Sequence, residues 1–265
     1  MIGARTARAW GWLPALSGLV LASANAVALQ PDRDPAEAAQ APPERASAGA
    51  RILERVAAGI FGVAAGQVGS VRVVYLTTLH SADEPGPIEQ RVSYVFPDTV
   101  RHEVQTPLGE QSIVFDGEGG FIAAGGRRLP LGAEAVAEGR RQMARDLILL
   151  AAHAGDARLE CAVAGSDAVD GKPCDLVTIA FLGATSRLCV DRDGRVARQT
   201  FEGRHPLSGE TGEITLRYED YAETGGLVLP RRQVLSFRGE ELATMRLAQV
   251  ELDPQLPDLG PPPAP

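Results

Sequence analysis

The sequence predicts a mainly β (α+β) fold: one large antiparallel sheet of about ten to eleven strands, with one helix ahead of it and one in its middle. Three observations predict it. Apolar and polar residues alternate with period two through a long series of short segments, the mark of strands with one solvated face. Turn-forming residues separate those segments at regular hairpin spacing. Two blocks break the alternation with a helical period instead. Hydrophobic residues make up 45% of the chain and aromatic residues only 5%, so the core must be large and mostly aliphatic.

The elements follow in order. Residues 1–28 have the layout of a secretory signal peptide. Arg5 and Arg8 supply the positive start, 10–21 the short apolar run, and Ala24-Asn25-Ala26 or Ala26-Val27-Ala28 the small-residue cleavage site. The apolar run is shorter than the ~20 residues of a membrane span. No cysteine follows the small-residue box, so no lipid-attachment site is expected there. Residues 29–47 are rich in Pro, Ala and charge and read as a flexible leader. One domain is expected over 48–253, and 254–265 read as a Pro-rich disordered tail.

The domain opens with a helix. In ARILERVAAGIFGVAAG, Ile52, Leu53, Val56, Ile60, Phe61 and Val63 recur at helical spacing, and Gly66 is a fitting stop. In VRVVYLTTL, Val71, Val73 and Tyr75 share a face. In IEQRVSYVF, Ile88, Val92, Tyr94 and Phe96 lie opposite Glu89, Arg91 and Ser93. Val100, His102 and Val104 alternate with Arg101 and Glu103. SIVF and a short strand around Phe121-Ile122 follow. The second helical block is AEAVAEGRRQMARDLILLAAHAG. Val136, Met143, Leu147 and Leu150 fall near one face, with Glu138, Arg141 and Arg145 roughly opposite. Arg140 falls on the apolar side, where it can snorkel to the edge. Strands return at 159–163, 176–181, 186–190 and 196–201, then in ITLRYEDY, VLPRRQVLSF and LATMRLAQVEL. Asp170-Gly171 is the strongest hairpin signal among them.

The residue inventory excludes several classes of function. The formal net charge is −8, and cleavage after Ala26 would remove Arg5 and Arg8 and no acid, giving −10. So acidic a surface disfavours nucleic acid and anionic membrane faces as non-specific partners. His80, His102, His153 and His205 stand apart in sequence and form no metal-ligand spacing, so no metal or cofactor is expected. Asp191-x-Asp193-Gly194 lacks the later acidic ligands of a calcium loop and reads as a turn. Gly117, Gly119 and Gly120 precede no helix, which speaks against a phosphate loop. Asp98, Arg101 and Glu103 read as turn chemistry and charge pairing rather than an acid–base pair. No nucleophile, base and orienting group assemble, so an enzyme is not expected. Cys161, Cys174 and Cys189 are an odd number in an exported chain; core packing and one intramolecular bridge are both open.

That leaves the apolar face of the sheet as the functional candidate. If the sheet curls, it encloses an apolar cavity between itself and the helices, suited to acyl chains. Val73, Tyr75, Val92, Tyr94 and Phe96 would line the concave face, and Phe121, Met143, Leu147 and Leu150 would close it. A one-residue slip would invert any strand of this assignment.

Over residues 50–255, the order and spacing of several motifs resemble one family. They are ILERVAAGIFG, YVFPDTVRHEV, GEQSIVFDGEGGF, DLILLAA, VAGSDAVDGKPCDLVTI, RLCVDRDGRVARQTF, YEDYAETGGLVLPRRQVLS and LAQVELDPQL. Together they resemble the LolA-like superfamily of outer-membrane lipoprotein-sorting proteins. The resemblance implies a curved, unclosed antiparallel half-barrel with helices over an apolar interior. It also implies a non-catalytic periplasmic carrier of lipid or of lipoprotein acyl chains, in transient contact with membranes. An alternative within the same resemblance is an envelope sensor or scaffold that binds a protein partner. The best-known carriers place a basic residue just before the proline that matches Pro97, where it helps hold the lid shut. This chain has Phe96 there, so the resemblance implies no latch at that position.

Overall fold

The computed structural model describes residues 43–62, 67–80, 86–106, 109–116, 118–206 and 208–256. The signal peptide expected at 1–28, most of the expected leader, Val63, Gly66, Gly117 and the tail from 257 lie outside the described residues. The domain begins with helix α1 (Pro43–Phe61), whose start lies ahead of the boundary expected at 48. Proline in a first helical turn costs nothing, because its missing N–H would have no partner there. Strands β1 (Ser70–Leu79), β2 (Ile88–Val95), β3 (Thr99–Thr106), β4 (Gly109–Phe115), β5 (Gly120–Ala124) and β6 (Arg127–Pro130) follow. Helices α2 (Ala133–Arg145) and α3 (Leu147–Ala152) come next. The second strand run is β7 (Glu160–Val169), β8 (Lys172–Phe181), β9 (Ala184–Val190) and β10 (Val196–Arg204). It ends with β11 (Thr211–Thr224), β12 (Leu227–Phe237) and β13 (Glu240–Leu252).

All thirteen strands form one sheet in the order β6-β5-β4-β3-β2-β1-β13-β12-β11-β10-β9-β8-β7. Every pairing is antiparallel, as the alternation required. The sheet does not close, since β6 and β7 stand at opposite edges. The strand count exceeds the ten to eleven expected. Part of the excess is β6, whose Arg-Arg-Leu-Pro sequence shows no apolar period and is exposed throughout. Such a short, charged, proline-ended strand suits an edge, where one side needs no partner.

The topology explains where the helices go. The chain leaves the sheet at β6, one edge, and re-enters at β7, the other. The connection must cross a whole face of the sheet, and α2 and α3 are that connection. Bulges in β13 opposite Val74/Tyr75, in β12–β13 beside Leu235/Ser236, and in β7 between Val163 and Gly165 interrupt the ladder. Bulges bend and twist strands, which curls the sheet around the helices it carries.

The second helical block is two helices, not one. Asp146 adopts extended backbone (φ −69°, ψ 129°) between α2 and α3. Its carboxylate Oδ1 accepts from the N–H groups of Ile148 and Leu149 at 2.9 and 3.0 Å, capping α3. The break corrects the expected position of Arg145. Instead of facing solvent with Glu138 and Arg141, it is buried at 6% exposure. Its guanidinium lies 4.3 Å over the Phe201 ring and donates through Nη2 to the Glu202 carbonyl at 3.3 Å.

Helix α1 lies against β7 and the β9–β10 turn. A Cβ at Gly49 would stand 2.2 Å from the carbonyl oxygen of Cys161, so only glycine permits this approach. Arg55 of α1 pairs with Asp175 of β8 at 2.6 Å. Cys174 and Cys189 form a disulfide between β8 and β9, with Cα atoms 5.4 Å apart. Cys161 is free and buried, and burial pushes its thiol up to about 12, so it stays protonated and unreactive.

Candidate functional site

A cavity of about 220 Å³ lies between the helices and the concave face. Strands β1–β4 form one wall and β10–β13 the other, with α2 and the start of α3 as its roof. The register shows how the first wall is made. Tyr75 stands opposite Gln90. Val92, His102 and Ile113 stand in one row across β2, β3 and β4, and Tyr94, Val100 and Phe115 in the next. All are on the inward face because side chains alternate along each strand. The second wall supplies Phe201, Ile214, Leu216, Leu229, Leu235 and Met245. Half-buried Arg204, Pro206 and Leu242 line the cavity too.

The roof approaches the wall closely at Gly139. A Cβ there would stand 2.1 Å from the Cε1 and Cζ atoms of Phe115. The absent side chain lets the phenyl ring sit directly under α2.

Polar contacts pin the α2–α3 break to both walls. On one side the Tyr94 hydroxyl donates to Asp146 Oδ2 at 2.8 Å. On the other, Gln199 Nε2 donates to the Arg145 carbonyl at 3.0 Å, and the Tyr218 hydroxyl donates to Gln199 Oε1 at 2.8 Å. Asp146 lines the cavity, with its carboxylate held by Tyr94 and the first turn of α3. Burial raises its carboxyl pKa, while the three hydrogen bonds it accepts pull the other way. Burial and the Asp146 charge push the Tyr94 hydroxyl well up, and the same two causes raise Tyr75. Both phenols remain protonated donors. The Tyr75 hydroxyl in turn accepts from Gln233 Nε2 at 3.1 Å.

Five of the nine residues expected to form the site line the cavity: Tyr75, Val92, Tyr94, Met143 and Leu147. The other four do not. Val73 and Leu150 have no exposed surface and belong to the packed core. Phe96 meets Phe61 of α1 edge-on at 5.9 Å, away from the cavity. Phe121 is buried on β5 beneath the Arg128 guanidinium, 5.4 Å away. Sequence reasoning missed Gln90, Gly139, Arg145, Asp146 and the whole second wall. His102 had a signal: it shares a strand face with Val100 and Val104, so a polar ring was due among apolar neighbours.

Other polar clusters lie elsewhere. His153 Nε2 is 3.4 Å from Asp98 and Nδ1 is 3.3 Å from Asp156, and neither it nor these carboxylates line the cavity. Arg101 and Glu103 pair with each other on the outward face of β3, and Arg101 lies 3.7 Å from Glu110 of β4. Among the described residues no group of His, Cys, Asp and Glu is placed to hold a metal ion. No described helix is long and apolar enough to cross a membrane.

No family model matches the sequence, and none of the curated proteins does. Solved structures do match. A LolA superfamily protein from Nitrosomonas europaea superposes with a TM-score of 0.55 at 16% identity, over 79% of this chain and 95% of that one. A domain described as an outer membrane lipoprotein-sorting protein, from Vibrio parahaemolyticus, gives 0.55 at 10% identity, over 80% of this chain and 95% of that one. Identities this low speak to architecture alone: the fold of this chain is that of the LolA superfamily.

Proposed function

We propose that the protein is a non-catalytic periplasmic carrier that holds an acyl chain, of a lipid or a lipoprotein, under α2 and α3. The observation that carries this reading is the cavity of about 220 Å³ between those helices and the sheet, walled mainly by aliphatic and aromatic side chains. Each methylene moved from water into such a space contributes about 0.8 kcal/mol. The volume is below the ~300–1,000 Å³ of sites for drug-sized ligands. One short chain fits as the protein stands; a longer one requires the α2–α3 break to lift from Tyr94 or Gln199.

The disulfide between Cys174 and Cys189 suits an oxidising compartment. The signal-peptide pattern supports export to the periplasm, and N-terminal sequencing of the mature protein should begin after Ala26 or Ala28. The sensor reading needs a contiguous exposed apolar patch. Among the described residues the exposed large apolar side chains are Leu76, Val95 and Leu129. Leu76 and Val95 lie towards opposite ends of the β1–β2 pair and Leu129 lies on β6. Apolar residues scattered in this way are ordinary surface, so the carrier reading is preferred.

The test is titration with a fluorescent fatty acid. The wild-type protein should show saturable binding of one equivalent. Ile113→Trp, which fills the space below α2, should reduce affinity at least tenfold while leaving the circular dichroism spectrum unchanged. Equal binding by both proteins would remove the cavity from the account.

A further inference from the structure

Two uncharged side chains that line the cavity each carry a buried polar atom with no hydrogen-bond partner among the described residues: Gln90 Nε2 and His102 Nδ1. Both side chains line the cavity, and the residues are only 5% and 7% exposed. They are neighbours. Gln90 stands opposite Val104 and His102 opposite Val92, so they lie diagonally across the β2–β3 ladder on one face. Diagonal positions are roughly 7–8 Å apart, close enough for both side chains to reach one group between them. Thr77, Arg55 and Arg101 also carry unpartnered buried atoms, but none of them lines the cavity.

A buried polar atom without a partner costs stability, and an apolar side chain of similar shape would not. The direct neighbours of His102 in its row, Val92 and Ile113, are aliphatic, as is Val104 beside Gln90, whose row also holds Tyr75 and Gln111. The two polar side chains therefore weaken the unliganded fold, and a ligand that bonds to them would recover that loss. The chemistry of the pair limits what the ligand can be. Gln90 offers an amide N–H donor. Burial lowers the His102 pKa to about 4, so near neutral pH its ring is uncharged and offers a donor or an acceptor according to tautomer. Neither supplies the positive charge that an anionic headgroup would need in a desolvated wall. Of the two cations in the cavity lining, Arg145 is already stacked on Phe201 and bonded to the Glu202 carbonyl, and Arg204 stands on β10 in the other wall.

We propose that Gln90 and His102 form a subsite for a neutral carbonyl group, that of an acyl ester or acyl amide, whose chain runs along the apolar wall beside them. The proposal rests on the carrier reading and narrows it: the cavity selects the linkage at the end of an acyl chain, not hydrocarbon alone. An ester would come from a lipid and an amide from an N-acylated protein, and the two share this recognition.

The test is displacement of a bound fluorescent fatty acid by three probes with the same number of heavy atoms: methyl decanoate, N-methyl decanamide and tridecane. The wild-type protein should prefer the tighter carbonyl probe to tridecane by about tenfold or more, and which of the two is tighter identifies the linkage. In the Gln90→Leu/His102→Leu double variant the preference should fall to within about twofold, with tridecane affinity kept. The variant should melt no lower than wild type, because unpartnered polar groups have been removed. Equal displacement by all three probes in the wild type overturns the subsite while the carrier reading stands. So does a preference that survives in the variant, as it would if ordered water satisfied both groups. Failure of the fluorescent fatty acid itself to bind overturns both.

Discussion

Under α1 and the end of α3 the concave face is packed solid, whereas under α2 and the start of α3 it holds a cavity. The packed half is aliphatic. Leu53 and Val56 of α1, Leu150 near the end of α3, and Val177 and Leu188 of the sheet have at most 2% of their surface exposed. The open half is also largely aliphatic, but it holds three larger side chains whose tips are tied. Tyr75 is held by Gln233, Tyr94 by Asp146 and Tyr218 by Gln199. A ring fixed at its hydroxyl cannot swing inward to fill space, and Gly139 offers nothing from above. The difference teaches that polar anchoring of rings in the wall helps to keep the cavity open among aliphatic side chains that elsewhere close onto the helices.

Three comparisons can break or sharpen this contrast. The largest effect should come from Leu150→Ala, which opens a hole in the packed half and should cost about 2–5 kcal/mol in urea unfolding. Val92→Ala removes methyl groups that already face the cavity and should cost under ~1 kcal/mol. Equal costs would mean that the two halves are packed alike.

The second effect is pH. The folded-state pKa of His102 is lowered from 6.5 to about 4 by burial, so as pH falls the unfolded chain takes up the proton first. Stability is then fully present above about pH 6.5 and is lost as pH falls through 4, by roughly 3 kcal/mol. Asp146 works in the opposite sense: its pKa is raised, so its contribution is present at low pH and lost as pH rises through the folded-state value. His102→Leu should remove the loss of stability between about pH 6.5 and 4 and expose the opposing trend of Asp146 there. An unchanged pH profile in that variant would place the titrating group elsewhere.

The smallest effect is expected for Gly139→Ala. A methyl group there meets the Phe115 ring and must push it into the cavity. Overpacking of this kind costs about 1–3 kcal/mol, offset by the ~1 kcal/mol better helix propensity of alanine. Thermal stability should change little while the affinity for a fluorescent fatty acid falls a few-fold. A rise in affinity would show that the ring has room to move aside.

The same contrast marks what the sequence made legible. Alternation placed Tyr75, Val92 and Tyr94 on the inward face, and the helical period put Met143 and Leu147 above them. Face membership is local, and period two reports it. Which inward row lies under space and which under packed side chains is not local, because it depends on where the roof breaks. That break is at Asp146, with no proline or glycine to announce it; the Tyr94 hydroxyl and the cap on α3 create it. Without the break, Arg145 reads as solvent-facing and Leu150 as part of the cavity roof. Phe96 lies in the turn after β2 and meets α1, and Phe121 shares its row with Val114 and Arg101 on the outward face, under Arg128. Strand β6 was hidden because an edge strand needs no apolar face.

The most direct test of the central claim, that the open half holds an acyl chain, is a crystal structure of the protein grown with a chain-brominated fatty acid methyl ester. The account predicts an anomalous bromine signal beneath α2, enclosed by Ile113, Met143 and Leu216. Bromine bound only on the outer face of the sheet, or no bound bromine at saturating ester, would contradict it.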